Sequence, residues 1–176
     1  MTNPLLSDWT GPFGLPPFAD IRDEDFGPAF DTALAEARAA IAAIADNPEP
    51  ADFANTVAAL ELAEQTLERV AGVFFNLVGA ESTPAREALQ RELAPKLSAF
   101  SSEVTMNRAL FARIETLWQA RDGLGLAGEE ARVLELYRRM FVRAGALLEG
   151  AGAERLKDVK SRLAVLATRF TQNLLA

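Results

Sequence analysis

Four groupings in this sequence set reactive residue types at spacings that chemistry uses. Glu61, Glu64 and Glu68 recur at three- and four-residue steps, so a helix carries them as a carboxylate row. Di-iron bundles use such carboxylates, but together with Glu-x-x-His pairs turned inward. The chain has no His, and the apolar residues of this stretch fall on the opposite face, so the row reads as a solvated edge. Gly123-Leu124-Gly125-Leu126-Ala127-Gly128 spells G-x-G-x-x-G. That motif holds a dinucleotide only after a strand and inside a βαβ unit. A helical pattern precedes it here, so it reads as a loop. Arg138, Arg139 and Arg143, near Arg132, make a basic cluster suited to a phosphate or a carboxylate. The favoured reading is pairing with the acidic first half of the chain. Lys96 with Ser101 and Ser102 is the raw material of a Ser–Lys pair, with nothing else to support one.

The absence of His removes the commonest general base and metal ligand, and with them a Ser-His-Asp triad or an H-E-x-x-H zinc site. The absence of Cys removes disulfides, thiolate metal sites and cysteine nucleophiles. No residue stands out as catalytic, metal-binding or substrate-binding. Net charge is −7, unevenly spread: residues 1–80 hold thirteen acidic and three basic groups, residues 81–176 twelve acidic and fifteen basic. The halves should attract each other. An acidic chain without a basic stripe argues against a nucleic-acid partner. The most apolar window, Val70–Ala80, is too short to cross a bilayer, and the first residues lack the basic and apolar regions of a secretory signal. A cytoplasmic protein without a membrane partner is the expectation.

Helices must position all of these groups. The 176 residues suit one domain, and at 49% hydrophobic they supply a sizeable core. Residues 1–22 are irregular, broken by Pro4, Gly11, Pro12, Gly14, Pro16 and Pro17. Their many apolar residues predict an extended arm laid over the helices, with Phe18 and Ile21 as anchors. A first helix opens at Asp23-Glu24-Asp25, takes Pro28 in its first turn and stops by Asn47. Asp52–Glu81 reads as one uninterrupted helix of about eight turns, roughly 40 Å long, capped by Asp52, Asn55 or Thr56. Its Gly72 leaves room for another backbone. Thr83-Pro84 opens a third helix, with a bend expected near residues 91–95 because of Pro95. Asn107 caps a fourth. A fifth begins at Glu129-Glu130 and carries Leu134, Tyr137, Phe141, Ala144 and Leu148, with Gly150 and Gly152 at its end. Val133, Leu136, Met140 and Leu147 lie off that stripe, which implies burial on two faces or a missing partner. The last helix carries Leu156, Val159, Leu163, Leu166, Phe170 and Leu174, and its pattern is still apolar at Ala176, as if cut. The expected fold is all-α: an irregular arm over 1–22 and one helical domain over 23–176, with about five to six antiparallel helices.

Several segments, taken in order, resemble one family. They are Asn3-Pro4-Leu5-Leu6, Leu15-Pro16-Pro17-Phe18, Phe26-Gly27-Pro28-Ala29-Phe30, Ile41 to Pro48, Phe53 to Glu61, Val73-Phe74-Phe75, Asn107 to Phe111, and Arg169 to Leu175. Together they resemble the N-terminal region of the thimet-oligopeptidase-like zinc metallopeptidases, closest to the bacterial peptidyl-dipeptidase Dcp branch. Members of that family are much longer. They hold one zinc with an H-E-x-x-H helix and a later Glu, and none of those residues exists here, so no catalytic or metal position carries over. The resemblance implies a helical lobe that helps wall a channel admitting short peptides, with no peptidase activity and no cofactor of its own. Zinc is expected in the full-length parent, and the catalytic domain of the same polypeptide is the expected partner, docked on an exposed apolar face. The same face would allow self-association. The competing readings are a stand-alone helical protein-interaction module and a bare structural bundle.

Overall fold

Helix α1 (Asp23–Ala45) is the element the others pack around in the computed structural model, which describes residues 3–152, 154–156, 158, 159, 162, 163 and 166. Its first turn holds Asp23, Glu24 and Asp25, where the helix dipole favours negative charge. Pro28 lies deeper than the first turn, inside the helix. Proline there cannot donate to the carbonyl four residues back, and its side chain faces outward. Phe26, Ala29, Phe30, Ala33, Leu34, Ala37, Ile41 and Ile44 form the buried stripe. The alanines let neighbouring backbones come near, and the two phenylalanines receive Phe74. That ring meets Phe26 at 5.1 Å and Phe30 at 5.5 Å, both edge to face. Each such pair adds about 0.5–1.5 kcal/mol beyond area burial.

The stretch expected as one long helix is three pieces. A wide π-type turn (Phe53–Ala58) leads into α2 (Ala59–Ala63), the backbone breaks at Glu64, and α3 (Gln65–Ala80) follows. The cap at Asp52 is as expected: its carboxylate accepts from the Asn55 amide at 2.6 Å, and Asn55 Oδ1 accepts in return from the Asp52 amide. The wide turn buries both Thr56 and Val57. The break has a physical cause in the spacing. A straight helix in phase with Leu60 and Leu67 would sink position 64, a carboxylate, into the core. Glu64 instead takes φ −109° and ψ 8°, outside the helical basin, and stays half-buried. Gly72 faces open space, so no second backbone approaches it.

Three further helices close the described fold. α4 (Pro84–Thr105) starts at the expected Thr83 cap and remains one helix on both sides of Pro95. α5 (Arg108–Ala120) starts at Asn107, whose side chain accepts from the Leu110 amide at 2.9 Å. α6 (Gly128–Ala144) ends at Gly145, not at Gly150 or Gly152. Gly145 adopts φ +106°, a conformation that favours glycine, and a Cβ there would collide with Leu156. The expected core residue Leu148 therefore lies beyond the helix. Past Gly150 the described residues are helical, but Leu163 and Leu166 are exposed. Phe170 and Leu174 fall outside the described residues. No strand occurs among the described residues, so the all-α expectation holds, with one core running from Leu5 through Phe141.

The N-terminal arm is held differently from the expectation. Ile21 does pack against the core, but Phe18 is half-exposed. The deep anchor is Leu5, fully buried. Asn3 reinforces it by donating to the Asp25 carbonyl at 2.8 Å, and the Arg69 guanidinium lies 5.0 Å from the Trp9 ring centre. The charge imbalance between halves is realised where α1 meets the chain from Thr83 on, through Arg86–Asp23 at 2.7 Å and Lys96–Asp31 at 3.0 Å. The Arg38–Glu103 pair at 2.7 Å runs in the opposite sense. Arg113 on α5 clasps the connection after α1. Its terminal nitrogens donate to the carbonyls of Asn47 and Glu49 and to Asn55 Oδ1.

Candidate functional site

The carboxylate row is less solvated than its spacing implied. Glu61 and Glu68 are exposed, but Glu64 is half-buried, and Tyr137 of α6 reaches the row. Burial raises the Glu64 carboxyl above the usual range, and the neighbouring charge of Glu68 adds to it. Burial also opposes ionisation of Tyr137, followed by its hydrogen bond to Glu61 and the charges of Glu61, Glu64 and Glu68. The phenol therefore stays neutral well above its ordinary range and serves as a donor into an acidic edge. Among the described residues, no three carboxylates gather in a way that could hold a metal ion.

Arg132, Arg138 and Arg139 pair, though not with the first half of the chain. Arg138 makes two contacts with Glu115 of α5, at 2.8 and 3.4 Å. Burial disfavours charge on Glu115, but hydrogen bonds from Arg138 and Gln119 outweigh it and hold the carboxyl below its usual range. Trp118 takes the Arg138 guanidinium at 5.0 Å and that of Arg121 at 4.3 Å from its ring centre. Arg132 bonds Glu135 at 2.6 Å, and Arg139 lies 4.0 Å from the same carboxylate. These partners are helical neighbours or sit on the adjacent α5, nearer than the acidic groups of α1. Beside Glu115, an open groove of about 780 Å³ runs between α5 and the segment after Gly145, lined by Phe111, Glu115, Gln119 and Leu147.

The other two groupings are structural. Lys96 is engaged by Asp31 and Glu92, while the Ser102 hydroxyl donates to the Ser98 carbonyl, so no Ser–Lys pair forms. Gly123 closes a short 3-10 turn, Gly125 turns the chain at φ +63°, and Gly128 begins α6. With α5 before it instead of a strand, this is a connecting loop. α6 and the segment after it also leave apolar residues at the surface: Leu136 and Met140, one turn apart on α6 and each 41% exposed, with Leu147 and Leu148 beyond Gly145. Leu136, Met140 and Leu147 are three of the four residues that lie off the stripe in sequence; the fourth, Val133, packs against the core.

No protein-family profile matches the chain. Over 174 residues, 99% of its length, it is 38% identical to the dipeptidyl carboxypeptidase of Escherichia coli. The dipeptidyl carboxypeptidase of Salmonella typhimurium is equally similar, 38% over 175 residues. Along nearly its whole length the chain is thus similar to thimet-oligopeptidase-like peptidases. Oligopeptidase A of Salmonella typhimurium, 29% identical over 176 residues, agrees. The chain spans about a quarter of the length of the curated relatives it matches. The residues present do not fit the zinc that thimet-oligopeptidase-like peptidases imply. The sequence has neither His nor Cys, and among the described residues the carboxylates do not gather into a group that could hold a metal ion. Among the described residues, no helix is long and apolar enough to cross a membrane.

Proposed function

We propose that this chain is a non-catalytic helical lobe of a zinc-dependent peptidyl-dipeptidase or oligopeptidase that hydrolyses short peptides. Its part is to help wall the substrate channel, while the zinc and the groups that activate water belong to other parts of the same enzyme. The observation that carries this reading is the extent of the likeness: 38% identity along 99% of this chain, yet over only 26% of the dipeptidyl carboxypeptidase it matches. The exposed Leu136 and Met140 support it, since a lobe needs an apolar face against its neighbour. A catalytic zinc site takes three protein ligands and a water, and a chain without His or Cys offers no such set.

Dipeptide release is the test. The purified 176-residue chain, supplied with zinc, is expected to release no dipeptide above a metal-free control. A longer polypeptide, read on from the same coding sequence, is expected to release C-terminal dipeptides from short peptides. Activity of the 176-residue chain alone would overturn the non-catalytic assignment. A coding sequence that stops at Ala176 would overturn the peptidase assignment and leave a helical interaction module.

A further inference from the structure

Within the N-terminal arm, Phe13 is 99% exposed, Leu15 58% and Phe18 50%. Single exposed apolar residues are ordinary, but three bulky ones in six positions of one loop are not. Phe13 also adopts φ +60°, where L side chains rarely sit, and is the one described non-glycine residue with a positive φ. The neighbouring Gly14 shares that conformation at φ +64°. Glycine would suit position 13 equally well, yet the chain holds an aromatic ring there and points it at water.

The arm is built to hold that ring still. Pro12, Pro16 and Pro17 fix their own backbone angles. Short turns tie Gly14 to Gly11, Leu15 to Pro12, Phe18 to Pro16 and Asp20 to Pro17. Buried Leu5, the Asn3 bond to Asp25 and the Arg69–Trp9 contact fasten the arm to the helices. A preorganised loop loses little freedom on docking. The Phe13–Phe18 loop itself carries no charged residue, so the contact it offers is apolar.

We infer that the Phe13–Phe18 loop is a docking hook, and that its occupant is the remainder of the same polypeptide, which receives it in an apolar depression. This rests on the lobe reading above and names a second contact for it. The relatives are about four times as long as this chain, which supplies the polypeptide for the hook to enter.

Thiol reactivity tests it, because the chain has no cysteine of its own. Phe13→Cys, Phe18→Cys and Met140→Cys are made singly in the 176-residue chain and in the longer polypeptide, and labelling at each site is followed by peptide mass spectrometry. In the short chain all three should react freely. In the long one, positions 13 and 18 should react about tenfold or more slowly. Fast labelling at 13 and 18 with protection at 140 would overturn the hook and leave the lobe reading standing. Fast labelling at all three, or a coding sequence ending at Ala176, would overturn both. Neither Phe13 nor Phe18 is in the core, so loss of folding does not confound the comparison.

Discussion

α1 and α6 are both amphipathic, and they meet opposite fates. α1 buries eight residues along 23, and every member of its apolar stripe finds a neighbour. α6 buries only Leu134 and Phe141 along 17, and leaves Leu136 and Met140 at the surface. The apolar period of a helix states which residues favour burial, not whether the polypeptide present can bury them. α1 is satisfied within this chain. α6 is satisfied only in part, mainly through α5 and less through the Phe53–Ala58 turn and α4.

The sharpest test of the satisfied region is Phe74→Ala. It removes the ring that packs on Phe26, Phe30 and Phe75, and should lower unfolding free energy by about 3–5 kcal/mol, read by urea denaturation. Phe141→Ala should cost less, about 3 kcal/mol, since among the described residues its one ring partner is Phe111 at 5.9 Å. An equal or greater loss at Phe141 would break the contrast between the two helices.

Glu64→Gln probes the seam between them. The folded protein raises this carboxyl, so the native state holds its proton more tightly than the unfolded chain does. That contribution is complete below the unfolded value, near pH 4, and is lost as pH rises through the folded one. At pH 7 the ionised carboxylate burdens the fold. Glutamine should therefore stabilise at pH 7 by less than about 1 kcal/mol, because the group is half-exposed, and the gain should fade below about pH 4. Thermal melts at the two pH values check the sign. The smallest effect belongs to the exposed face: Leu136→Ser with Met140→Ser should shift stability by no more than about 0.5 kcal/mol. A larger loss would mean that α6 is already covered within this chain.

Much of the helical plan was legible because its signals are local. Asp23-Glu24-Asp25, Thr83-Pro84 and Asn107 act on backbone groups within one turn, and each marks a helix start in the structure. The break at Glu64 was not legible, because an apolar stripe can be threaded through a carboxylate on paper without showing what burial of that group costs. The anchoring role of Leu5 is not legible, because its burial depends on how the arm meets the assembled helices, which no run of neighbouring residues encodes. The arginines misled for a similar reason. Net charge of a half-chain says little about which carboxylate lies within 4 Å, and Glu115 and Glu135 were closer than anything on α1. For the site, the absence of His and Cys can be read in the sequence alone, whereas the Tyr137 contact with the acidic edge requires α6 and α2 in three dimensions.

Arg113 reaches back 58 to 66 positions to hold Asn47, Glu49 and Asn55. Chains leave the ribosome N-terminus first, at about 5–20 residues per second. α1 and α3 can thus pair while Arg113 is still being made, and during that interval the carbonyls of Asn47 and Glu49 have only water to meet. The connection between the first helices is a clasp fastened from behind, several seconds after the parts it joins have emerged.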